Sequence, residues 1–120
     1  MNDVNKYFIN QWYKAKKEPK KYLLWVDDLR NIPNNYIGEY HITIARNYKE
    51  AIQELHRFKY DIISLDHDLG EEKSGYDICK YIIENNIQCN EFRIHTRNPV
   101  GRANMIQLLR RYTNSIIRVM

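Results

Sequence analysis

The sequence predicts an α/β domain in which five parallel strands form a sheet with helices on both faces, preceded by a short N-terminal helix. Three observations carry this. Short apolar or β-branched runs alternate with amphipathic stretches, the runs stop abruptly at polar residues, and 120 residues leave room for one such core but not two.

Residues 1–20 stand apart. Val4, Phe8 and Trp12 recur at helical spacing, then KAKKEPKK with Pro19 breaks the pattern, so an amphipathic helix and a basic linker are expected. The domain proper is expected over 21–120. KYLLWV (21–26) is a near-continuous apolar run, as in a strand buried on both faces of a parallel sheet, and it ends in Asp27 and Asp28. RNIPNNYIG (30–38) contains Pro33 and Gly38 and allows at most a short or distorted helix. YHITIA (40–45) reads as the second strand. Asn47 with Glu50 three residues later then caps a helix whose apolar face carries Ala51, Ile52, Leu55 and Phe58. DIISLD (61–66) is the third strand and stops at a carboxylate. A helix opens near Ser74 or Gly75, with Ile78, Cys79, Ile82 and Ile83 on one face. EFRIHT (91–96) is the fourth strand. Asn98 and Pro99 suit the cap and first position of a helix faced by Met105, Leu108, Leu109 and Tyr112, and SIIRVM (115–120) closes the sheet. Strands and helices in this order require right-handed crossovers, which makes the architecture flavodoxin-like.

The net charge of +4 is local: Lys14, Lys16, Lys17, Lys20 and Lys21 against Glu18 account for it. A short run of this kind reads as a solvated connector, so duplex nucleic acid is disfavoured as a partner, and no aromatic stacking motif accompanies the lysines. Cys79 and Cys89 do not form a metal knuckle and are expected to be reduced, which points to the cytoplasm. No apolar run approaches the ~20 residues a bilayer requires, and MNDVNK is too polar for a signal peptide, so no membrane partner is expected. Oligomeric state is left open.

In open α/β sheets the ligand crevice lies beyond the carboxyl ends of the strands. Asp27, Asp28, Asp66, His67, Asp68, His95 and Thr96 are all expected there. Four carboxylates on one rim repel, at about 4 kcal/mol per pair for ~4 Å and an effective dielectric near 20, and a cation removes that penalty. Asp27, Asp28, Asp66 and Asp68 are therefore expected to hold Mg²⁺ or Mn²⁺, with Ca²⁺ as another hard cation; the alternative is that they cap loops and helices. His67 and His95 are candidates for proton transfer or, in a manganese or zinc site, for ligands. Arg97, Asn98, Arg102 and Asn104 surround the start of the last helix, where a phosphate could be clamped.

These residues resemble response-regulator receivers of the CheY-like superfamily: an Asp pair after the first strand, Asp66 at the phosphoacceptor position, Asp68 two residues on, and Thr96 after the fourth strand. The similarity spans about 21–120. Two departures stand out. No lysine ends the fifth strand, where Arg118 is the nearest base, and His67, Asp68 and Leu69 replace the Met-Pro pair of many receivers. VDDLRNIP, LDHDLG and IHTRNPVGRANM in this order are instead similar to the cyclic-phosphate-processing receiver domains. That resemblance implies a metal-dependent hydrolase or phosphodiesterase acting on a cyclic nucleotide or a cyclic-phosphate RNA end. Asp66, His67 and His95 would be catalytic, and Arg30, Thr96, Arg97, Asn98, Arg102 and Asn104 would meet the substrate. The alternatives are a receiver phosphorylated on Asp66 and a module that binds a cyclic phosphate without cleaving it.

Overall fold

The structure is a computed structural model that describes residues 19–120, and the helix expected near the N-terminus lies outside the described residues. Strands β1 (Tyr22–Val26), β2 (His41–Ala45), β3 (Ile62–Leu65), β4 (Glu91–Ile94) and β5 (Ile116–Val119) alternate with helices α1 (Tyr48–Arg57), α2 (Gly75–Glu84) and α3 (Pro99–Tyr112). A 3₁₀ turn at Asn34–Tyr36 fills the first crossover, where Pro33 and Gly38 leave no room for a longer helix. All pairings are parallel and the strand order is β2-β1-β3-β4-β5, the flavodoxin-like arrangement. The chain reverses direction across the sheet between β1 and β3, so a crevice opens beyond their carboxyl ends, where Asp27, Asp28 and Asp66 emerge.

Period-two alternation along the strands divides the core. Leu24, Val26, Ile63, Leu65, Phe92 and Ile94 face one way and bury against Ala51 and Leu55 of α1, Ile78, Cys79 and Ile82 of α2, and Met105 and Leu109 of α3. Leu23, Trp25 and Ile62 face the other way. There Tyr36 of the 3₁₀ turn covers them, with half-buried Ile32, Tyr40 and Ile42 around it.

Local signals place the helix starts. Asn47 Oδ1 accepts from the Glu50 amide at 2.8 Å, Ser74 and Asp77 form a reciprocal capping box, and Asn98 Oδ1 accepts from the Gly101 amide at 2.9 Å ahead of Pro99. Two expected core aromatics lie elsewhere. Phe58 is the C-cap of α1 with extended backbone, which swings its ring off the helix face to pack on Tyr22 and Tyr60. Tyr112 is the last residue of α3, past the final buried contact at Leu109, and is 55% exposed.

Candidate metal centre at the strand ends

Asp27 and Asp28 follow β1 and Asp66 follows β3, and one ligand oxygen from each lies within 4.8 Å of the others. Each such pair of like charges costs roughly 3–4 kcal/mol at an effective dielectric of 20. The strain registers on Asp66, whose carboxyl is pushed above the ordinary carboxylate range by burial and by the charge of Asp27, while the Thr96 hydroxyl and the His67 and Asp68 amides pull it back. Hard, crowded, negatively charged oxygens from two rigid strands fit Mg²⁺ or Mn²⁺. Gly70, in the left-handed region at φ +67°, brings the β3–α2 loop over this group: a Cβ there would stand 2.9 Å from Asp28 Oδ2. At Gly75 a Cβ would lie 2.0 Å from the Asp66 carbonyl oxygen, so α2 begins directly against the acid strand.

Asp68, expected from sequence as a fourth ligand, stands outside this group of three. Asp68 is engaged by other partners: its Oδ1 lies 2.8 Å from His67 Nδ1, and the Asn98 side-chain amide donates to it at 3.3 Å. The His67 contact, with Asn98 adding to it, holds the Asp68 carboxyl below its ordinary range. His67 in turn sits on the first turn of α3, so close that a Cβ on Gly101 would come within 2.4 Å of its ring. No hydrogen bond among the described residues engages His67 Nε2.

His95, expected on the open rim, is 3% exposed instead. Asp27, Ser64 and His95 all project to the second face of the sheet, because they share the parity of Trp25, Ser64 and Arg93 across β1, β3 and β4. His95 Nδ1 is 2.7 Å from Ser64 Oγ, its Nε2 is 3.1 Å from Asp27 Oδ2, and its ring stacks on Trp25 at 3.7 Å and 6°. Burial depresses its pKa to about 4, against the pull of Asp27, so the ring is neutral near pH 7.

The remaining predicted residues divide. Arg30 is exposed and donates to the His95 carbonyl, and the buried Thr96 hydroxyl accepts from the Asn98 amide. Arg102 Nη2 donates to the Thr96 carbonyl at 2.9 Å, with its Nε buried and without a hydrogen-bond partner among the described residues. Arg97 is exposed beside them. Asn104 is exposed farther along α3, and no hydrogen bond among the described residues ties it to this group. Arg118, nearest in sequence to the missing lysine, pairs with Glu91 at 3.5 Å on the second face, away from the rim. Two contributors escaped sequence reasoning. Ser64 is the lone hydroxyl in a fully buried strand, a signal that was there to use; Arg46, which donates to the carbonyls of Asp27 and Arg30 and so pins the acidic turn, had none.

The family model for cyclic-phosphate processing receiver domains matches residues 22–111. The chain belongs to that family. Its fold is shared by the response regulator TrrA of Thermotoga maritima in complex with Mg²⁺ and BeF, at TM-score 0.59 and 21% identity, covering 83% of this chain and 86% of that one. The response regulator domain of Thermotoga maritima CheB is similar too, at TM-score 0.58 and 18% identity over 83% of this chain and 78% of that one. No curated protein matches the sequence. Among the described residues of this receiver domain, no helix is long and apolar enough to cross a membrane.

Proposed function

We propose that this receiver domain is a metal-dependent phosphodiesterase acting on a cyclic phosphate, either a cyclic nucleotide or a cyclic-phosphate RNA end. The observation that carries the proposal is the gathering of the Asp27, Asp28 and Asp66 carboxylates at the strand ends, next in the chain to His67, whose Nδ1 is tied to Asp68. The family's description and the Mg²⁺ held by the structurally similar TrrA support it. Bound by Asp27, Asp28 and Asp66, Mg²⁺ or Mn²⁺ would compensate charge and polarise the phosphoryl group. Asp68 orients His67 so that Nε2 can pass a proton to the leaving oxygen. Arg30, Arg97 and Arg102, with the Thr96 hydroxyl and the first amides of α3, face phosphate oxygens. Buried Cys79 and half-buried Cys89, both free, suit the reducing cytoplasm in which we place the protein.

The test is turnover of 2′,3′-cyclic and 3′,5′-cyclic nucleotides and of cyclic oligonucleotides with Mn²⁺. Metal-stimulated cleavage is expected, lost in Asp66→Ala and reduced about 10²–10⁴-fold in His67→Ala. Absence of cleavage of every substrate rejects the proposal, and tight binding with ligand recovered intact would favour a binding module. A second reading, phosphorylation of Asp66, draws on the Thr96 hydroxyl beside that carboxylate. It requires a hydroxylamine-sensitive adduct after incubation with acetyl phosphate and Mg²⁺. The outward pairing of Arg118 with Glu91 weighs against it.

A further inference from the structure

Asp27 is 1% exposed, and its carboxylate is saturated on one side. Oδ1 accepts from the amides of Leu29 at 2.9 Å and Arg30 at 2.6 Å, and Oδ2 faces His95 Nε2 at 3.1 Å. The proton arrangement follows from the partners. Were Nε2 unprotonated, its lone pair would point at a carboxylate oxygen with nothing between them. With the proton on Nε2, the ring donates to Asp27, and Nδ1 accepts from the Ser64 hydroxyl at 2.7 Å. Trp25 fixes the plane of the ring from one side, and its own Nε1 donates to the Arg30 carbonyl at 3.0 Å, within the turn that supplies Asp27's amide donors. Ser64 and His95 therefore form a chain of donors that runs from the interior of the sheet to the Asp27 carboxylate, with both ring nitrogens paired.

Building on the metal reading of the rim, we propose that His95 is a positioning residue for the cation site. Held in the Nε2-protonated tautomer by the Ser64 hydroxyl at Nδ1, it fixes the Asp27 carboxylate so that the remaining lone pairs of that carboxylate face Asp28 and Asp66. It carries no proton to substrate. A buried donor of this kind behind a ligand commonly changes metal affinity 10–100-fold.

Calorimetric titration of the whole chain with Mn²⁺ and Mg²⁺ tests this without any substrate. His95→Leu, which cannot donate, should weaken binding about 10–100-fold. His95→Gln, whose amide nitrogen occupies the place of Nε2, should stay within about 3-fold of wild type. Ser64→Ala should weaken binding in the wild-type background and have little effect in His95→Gln, where no imidazole needs orienting. Nitrogen-15 NMR should show the Nε2-protonated tautomer for His95. Should His95→Leu fail to fold, the Ser64→Ala comparison and the tautomer decide. Wild-type affinity in His95→Leu, an Nδ1-protonated ring, or equal loss in the Gln and Leu variants overturns the positioning role while leaving the metal site intact. If wild type itself binds neither ion, the metal reading and the positioning role fall together.

Discussion

His67 and Gly101 show how narrowly a single position can be set. The imidazole rests on bare backbone at the start of α3, where added carbon would stand 2.4–2.8 Å from three ring atoms. Gly101→Ala must therefore push His67 out of line with Asp68. Helix propensity favours alanine by up to about 1 kcal/mol, but overpacking against a ring lodged under the loop costs roughly 1–3 kcal/mol. A net loss of stability in urea denaturation is expected, together with a changed His67 ring signal in NMR. Asp66→Asn should do the opposite. The raised pKa of Asp66 means that its ionised form is held against burial and the charge of Asp27, so removing the charge should raise the melting temperature in EDTA and abolish the further rise expected of wild type in excess Mg²⁺. Melting curves with and without metal check both halves.

At the level of elements, α3 depends on Asn98 twice. Its Oδ1 caps the helix at the Gly101 amide, and its Nδ2 reaches Asp68. Asn98→Ala should cost about 1 kcal/mol from the cap alone, measured by chemical denaturation, and should free the His67–Asp68 pair from the helix. Asn98→Asp separates the two roles. It keeps the acceptor at the cap but places a carboxylate against Asp68, so stability should recover more than any activity does. The helix starts were readable because each is encoded within four residues: Asn47 with Glu50, Ser74 with Asp77, and Asn98 with Pro99 and Gly101. The strand ends were readable for a similar reason, since apolar runs stop at charged residues.

The acid tolerance of the whole molecule should carry the signature of His95. Its folded pKa of about 4 lies below the unfolded value near 6.5, so in that interval the unfolded chain binds more protons. The stability that the neutral ring contributes is therefore complete above about pH 6.5 and is lost as pH falls toward 4, by up to about 3 kcal/mol. Denaturation in EDTA across this range should show the decline, and His95→Gln should flatten it relative to wild type. Asp66 works in the other direction, losing stability as pH rises through its elevated pKa, so the same series in Asp66→Asn isolates the histidine.

Local pattern and spacing determined the sheet, the order of its elements and the identity of the acidic rim, because strand and helix periods, caps and breakers act over a few residues. Which rim residues share a ligand was a tertiary decision. Asp68 and Asp66 are two residues apart, yet the loop turns one toward α3 and the other toward Asp27. His95 and Asp27 are 68 residues apart and meet beneath the rim. The alternation that puts Asp27, Ser64 and His95 on one face is written in the strands, but it becomes contact only when β3 takes its place between β1 and β4. The order of elements along the chain pointed to a flavodoxin-like sheet, but the contact itself depends on how the crossovers pack, which short-range patterns do not encode.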